Sequence, residues 1–92
     1  MNKKKSVIQN LYSAILKLES IDECDLFFKD LCTPNEINVL AQRLEVAKLL
    51  LQEKTYIDIQ HLTKASTATI SRVNRTISDG AKGYKRLFGG RH

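Results

Sequence analysis

The feature that restricts this chain most is the stretch from Thr55 to Ser78, TYIDIQHLTKASTATISRVNRTIS, which contains two helix starts in quick succession. Thr55 is a favourable N-cap and Asp58 follows three residues on, a T-x-x-D variant of the capping box in which side chains accept the orphan N–H groups of a first turn. The pattern predicts a helix from about Tyr56. Ile59 and Leu62 give it one apolar face, and Thr63 and Lys64 interrupt that face, so it lasts only about two turns. Ser66 is a second N-cap, followed by Ile70, Val73 and Ile77 at the i, i+3, i+7 spacing of a second helix. Two short capped helices around a tight turn read as a helix-turn-helix spanning residues 55–78.

The opposite face of the second helix carries Thr67, Thr69, Ser71, Arg72, Asn74 and Arg75. Small hydroxyl residues in the first turn and then Arg and Asn suit a helix whose N-terminus enters a DNA major groove. Hydroxyls and main-chain N–H groups meet phosphates there, and Arg and Asn pair bidentately with guanine and adenine edges. The candidate DNA-binding residues are Thr55, Lys64, Ser66, Thr67, Thr69, Arg72, Asn74 and Arg75. The same spacing also occurs in helical bundles that bind nothing, since any surface helix has a polar outer face.

Composition decides the class of the rest. With 92 residues and one proline, and without the alternation or Asn-Gly turns that announce strands, the chain reads as one all-helical domain over residues 1–92. A domain of this size buries only about two thirds of its unfolded surface, so burial against a partner subunit would help it. The net charge of +5 is unevenly distributed. Residues 1–46 hold six Lys/Arg against seven Asp/Glu, a net of −1, and residues 47–92 hold nine against three, a net of +6. The basic excess lies in the half with the two short helices, as expected if that half faces phosphates, although a solvated basic surface would look the same.

Cys24 and Cys32 lie eight apart, with His61 and His92 far from both, which is no zinc spacing; two thiols in helical surroundings read as small buried hydrophobes in a reducing compartment. No metal site is expected. The start MNKKKSVIQNL lacks an apolar run long enough for a signal peptide, and no stretch of 18 apolar residues follows, so the expected setting is cytoplasmic, away from membranes. Paired carboxylates, Gly-rich phosphate loops, nucleophile elbows and metal spacings are all missing, so the chain does not read as an enzyme and no catalytic residue is assigned.

Along the chain, residues 1–5 read as a frayed basic arm. Val7, Ile8, Leu11, Ile15 and Leu18 make a helical stripe from Ser6 to about Leu18. Ser20 to Glu23, S-I-D-E, is a capping box that opens a second helix carrying Leu26, Phe27 and Leu31. Thr33-Pro34-Asn35-Glu36 is the clearest helix start: Thr33 caps, Pro34 takes the first helical position and Glu36 closes the box. That helix is predicted to run to about Gln52, with Ile37, Leu40, Leu44, Ala47 and Leu51 on one face and Val39, Val46, Leu49 and Leu50 widening it. Arg43 either snorkels to the surface or lines a pocket. Asp79-Gly80 ends the recognition helix, Gly83 to Phe88 forms a last short segment with Tyr84, Leu87 and Phe88 as a hydrophobic lock, and Gly89 to His92 reads as loose.

TPNE before a long helix with Gln42-Arg43, then TY-x-D-I followed by ASTATISRVNR, resembles the bacterial Trp-repressor superfamily, in detail its Trp-repressor-related branch of the YerC/YecD type. The likeness covers residues 33–84 closely and the flanking helices in pattern. It implies a six-helix fold and an intertwined homodimer in which the N-terminal helices of each chain pack on the other. Paired recognition helices would then address successive major grooves about 34 Å apart, so an inverted-repeat operator is expected.

The resemblance also implies a candidate effector pocket. In the Trp repressor an arginine on the long helix and another on the recognition helix bracket the tryptophan ring, and Arg43 and Arg72 stand at those positions. The repressor has glycine after its second arginine, where this chain has Val73, and Thr76 holds the position of its ligand-contacting serine. A branched side chain at Val73 takes space the ring needs, so L-tryptophan is not expected as a corepressor and no cofactor is assigned. Relatives commonly place glycine where this chain has Lys64, which costs about 1 kcal/mol if that residue is left-handed. Two functions follow: a DNA-binding transcriptional regulator, in the first instance a repressor acting on double-stranded DNA, or a helix-turn-helix that docks another protein without specific DNA binding.

Overall fold

The computed structural model describes residues 3–89, with side chains from Ser6 onward. It is all-helical over those residues: α1 (Lys3–Leu16), α2 (Ile21–Leu31), α3 (Pro34–Leu51), α4 (Tyr56–Thr63), α5 (Thr67–Asp79) and α6 (Gly83–Phe88). Contacts divide the chain into residues 1–37 and residues 38–92.

In the first unit, α1 starts at Lys3, so residues 3–5 are helical where an arm was expected; Met1 and Asn2 lie outside the described residues. Lysine is a good helix former, and nothing in K-K-K-S opposes extending the stripe backwards by a turn. The helix closes through two tightened bonds, Lys17 N–H to the Ala14 carbonyl and Leu18 N–H to the Ile15 carbonyl, both 3.1 Å. At the head of α2, the Glu23 N–H donates to Ser20 Oγ (3.1 Å), while the Glu23 carboxylate accepts from the Glu19 N–H (2.8 Å), one residue further back than the expected box. Phe27 and Phe28 meet edge to face, centroids 5.4 Å apart. Cys24 and Cys32 are free and half-buried, not the fully buried hydrophobes expected.

The capping box of α3 forms in both directions: the Glu36 N–H donates to Thr33 Oγ1 (3.1 Å) and the Thr33 N–H to Glu36 Oε1 (2.8 Å).

The core of the second unit draws Val46, Ala47 and Leu49 from α3, Ile59 from α4, Ala65 from the turn and Ile70, Val73 and Ile77 from α5. Leu50, Leu51, Tyr56 and Tyr84 pack against it, half-buried. The predicted face of α3 is only partly used, because Val39, Leu40 and Leu44 remain exposed. The predicted face of α4 is corrected as well. Ile59 is fully buried but Leu62 is 62% exposed, and the inward side is Tyr56, Ile59 and Thr63. Thr63 can turn inward because its hydroxyl is satisfied locally, donating to the Ile59 carbonyl (2.7 Å) and accepting from the Ala65 N–H (3.1 Å). Of the expected lock on α6, Tyr84 packs on the core, whereas Leu87 and Phe88 are exposed. Gly89 is not loose: it is buried and its N–H donates to the Lys85 carbonyl (2.7 Å); residues 90–92 lie outside the described residues.

Candidate nucleic-acid interface

Both helices of the 55–78 segment start as their sequence dictates. The Asp58 N–H donates to Thr55 Oγ1 (3.1 Å) and the Thr69 N–H to Ser66 Oγ (3.1 Å), with Thr55 and Ser66 both in extended backbone. Between them Lys64 has φ 64° and ψ 13°, the left-handed conformation, and its N–H closes α4 on the Gln60 carbonyl (2.8 Å). The turn therefore uses lysine where glycine would be unstrained.

Helix α5 is anchored by Ile70, Val73 and Ile77, exposed by 0%, 4% and 8%. Its other side leaves Thr67, Ser71, Arg72, Asn74 and Arg75 exposed, and Lys64 and Ser66 join them at the turn. Among the described residues no carboxylate lies within 4.0 Å of Arg72 or Arg75, so both guanidiniums are available to an outside acceptor. The C-terminus of α5 is held by the Gly80 N–H on the Thr76 carbonyl and by Lys82 Nζ on the Ser78 carbonyl, both 2.7 Å.

Thr55 and Ser66 are exposed, and each spends one lone pair on its own cap, leaving the hydroxyl hydrogen of Thr55 for another acceptor; that of Ser66 points to Thr69 Oγ1 (3.1 Å). Thr69 is half-buried and lines a cleft instead of standing among the outward residues.

That cleft has a volume of about 410 Å³ and is lined by Val39, Gln42, Arg43, Thr69, Arg72, Val73, Thr76 and Tyr84. It brings together all four residues of the candidate effector pocket, Arg43, Arg72, Val73 and Thr76. Arg72 also borders a second depression with Arg75, Thr76, Asp79 and Gly80, so it stands at the boundary between the cleft and the outer face of α5. The Thr76 hydroxyl donates to the Arg72 carbonyl (3.1 Å), a bond within the helix that points it back at its own backbone. Sequence reasoning assigned no role to Val39, Gln42 or Tyr84 in this cleft. For Gln42 the signal was present, since it is the neighbour of Arg43 and one helical turn before Val46; for Tyr84 none was, because α6 reaches the cleft only through the fold.

Comparison with known proteins agrees with this geometry. The chain is 51% identical over 78 residues to the uncharacterized protein YerC of Bacillus subtilis (strain 168), covering 85% of this chain and 75% of YerC. Its structure is similar to that of a TrpR-like protein from Eubacterium eligens ATCC 27750, with a TM-score of 0.87 at 52% identity over 89% of this chain and 84% of the other. A candidate Trp repressor from Staphylococcus aureus gives a TM-score of 0.87 at 47% identity, over 95% of this chain and 90% of the other. The family described as Trp repressor protein matches residues 6–90, and with the capped helix pair, the αL turn and the cleft behind α5 in view, this chain belongs to that family.

Proposed function

We propose that the protein is a sequence-specific DNA-binding transcriptional regulator that works as a homodimer on an inverted-repeat operator, in the first instance as a repressor. The observation that carries this reading is α5: a helix capped at its N-terminus and locked into the core by three apolar side chains, while Thr67, Arg72, Asn74 and Arg75 are exposed along it. Arg72, Asn74 and Arg75 supply the fork and amide geometries that read guanine and adenine edges. Thr67, Lys64, Ser66, Thr55 and main-chain N–H groups supply phosphate contacts, and Thr69 orders the first turn from inside. The net of +6 on residues 47–92 adds the non-specific attraction. Membership in the Trp repressor family supports the same reading.

Exposed apolar side chains support the dimer. Val7, Ile8, Leu11 and Leu16 on α1, Ile21, Leu26 and Leu31 on α2 and Leu40 and Leu44 on α3 all lie open in the single chain. None of the described helices is long and apolar enough to cross a membrane.

The test is selection of bound duplexes from genomic fragments, followed by binding at several salt concentrations. Retention of a two-fold symmetric motif, with affinity falling steeply as salt rises, is the expected result. Arg75→Ala should lose about fivefold or more in specific affinity, the value of part of a bidentate base contact, with an unchanged unfolding midpoint. A wild-type isotherm from that variant removes Arg75 from the interface. Retention no different from the input pool points instead to a protein partner for the helix-turn-helix.

A further inference from the structure

Helix α4 ends at Thr63, and the last carbonyls of a helix have no partner within it. The Thr63 carbonyl finds one on α3: Gln42 Nε2 donates to it over 3.2 Å, across 21 residues of sequence. Four residues later on α3, Val46 is fully buried, with Ala47 beside it, so the Gln42 backbone belongs to the fixed part of the core. Thr63 in turn governs the turn. Its hydroxyl holds the Ile59 carbonyl and the Ala65 N–H, Lys64 beside it is in the left-handed conformation, and Ser66 then caps α5.

The apolar contacts of Ile59, Ile70 and Val73 hold the helix pair on the core, but such contacts are non-directional and tolerate rotation and sliding. A hydrogen bond is directional and does not. We propose that Gln42 is a positioning residue for DNA reading. Its amide fixes the turn, and through the turn the angle at which α5 presents Arg72, Asn74 and Arg75, without itself touching DNA. The inference rests on the DNA-binding reading above.

Two variants separate positioning from mere stability. Gln42→Leu removes the donor at similar size and without charge; Gln42→Glu sets an acceptor against the Thr63 carbonyl. In the free protein, with Arg43 and Arg72 of the same cleft both changed to glutamine because their charges would lower it, NMR titration of the carboxyl introduced by Gln42→Glu should give a pKa above the ordinary glutamate value, because only the protonated form can donate to that carbonyl. With DNA, Gln42→Leu should bind random duplex as the wild type does, lose about tenfold in affinity for the selected duplex, and lose preference between spacers one base pair longer or shorter. An ordinary titration of the introduced carboxyl together with unchanged affinity and spacer preference overturns the proposal. So does a parallel loss on selected and random duplexes that tracks the unfolded fraction, which is a purely structural role. If the unmutated chain prefers no duplex, the DNA reading itself fails and the role of Gln42 falls with it; the free-protein titration still reports whether the bond to Thr63 exists.

Discussion

At the scale of single residues, backbone geometry at two positions sets opposite expectations for substitution. Lys64 sits at φ 64°, where an L side chain crowds its own carbonyl. Lys64→Gly should therefore raise unfolding stability by about 1 kcal/mol, less the entropy glycine regains when unfolded, in urea titrations. The same variant should bind DNA more weakly at low salt if the lysine meets a phosphate, so stability and affinity would move apart. Gly80 has an ordinary negative φ, but a Cβ there would lie 2.5 Å from the Thr76 carbonyl oxygen. Gly80→Ala has to push back the last turn of α5 and should cost about 1–3 kcal/mol in the same assay. Residues of this kind divide by how local their cause is. The caps at Ser20, Thr33, Thr55 and Ser66 were legible because S/T followed by an acceptor or donor three residues on is a complete local device. The inward turn of Thr63 was not, since in an eight-residue helix the spacing of Ile59 to Leu62 is as good as that of Ile59 to Thr63, and only tertiary packing with a satisfied hydroxyl chooses.

At the scale of elements, the decisive object is the face that α5 turns toward α3. Ile70, Val73 and Ile77 were readable as its buried stripe from the sequence, and all three are buried. What periodicity could not read is that the edge of this stripe forms the wall of a cleft, because Val39, Gln42 and Arg43 approach from α3 and Tyr84 from α6. Val73 is both core and wall: it is 4% exposed and lines the cleft. Admitting an indole ring would require it to move within a packed helix, which costs about 1–3 kcal/mol before any contact is gained. The Thr76 hydroxyl, donating to the Arg72 carbonyl, would have to break that bond to donate to a ligand. Calorimetry with L-tryptophan should accordingly give no stoichiometric binding in the micromolar range; a saturating isotherm there would show that the cleft opens and that Val73 is no barrier.

At the scale of the whole molecule, the apolar side chains left in the open matter more than those inside. Helix α2 has no buried residue although its sequence carries Ile21, Leu26, Phe27, Phe28 and Leu31, and α3 leaves Leu40 and Leu44 uncovered. The stripes on these helices were legible; what covers them was not, because a stripe gives the same pattern whether its partner is the same chain or another. Leu44 also lines an apolar groove of about 450 Å³ with Ile77, Tyr84 and Leu87, a surface that water solvates poorly. Covering it with a second copy uses the same residues twice, as a two-fold interface does. Sedimentation over a concentration series should show a dimer for the unmutated chain. Leu44→Glu should shift it to monomer, since the introduced carboxylate would be desolvated without a partner at the interface, and its thermal unfolding midpoint should lose the dependence on protein concentration that the unmutated dimer shows. Because a single recognition helix reads only half of an inverted repeat, that monomer should keep its affinity for random duplex per protomer and lose its preference for the symmetric site. A monomeric wild type that still selects a two-fold motif would mean that the dimer forms on DNA, and the open stripes would then need another occupant.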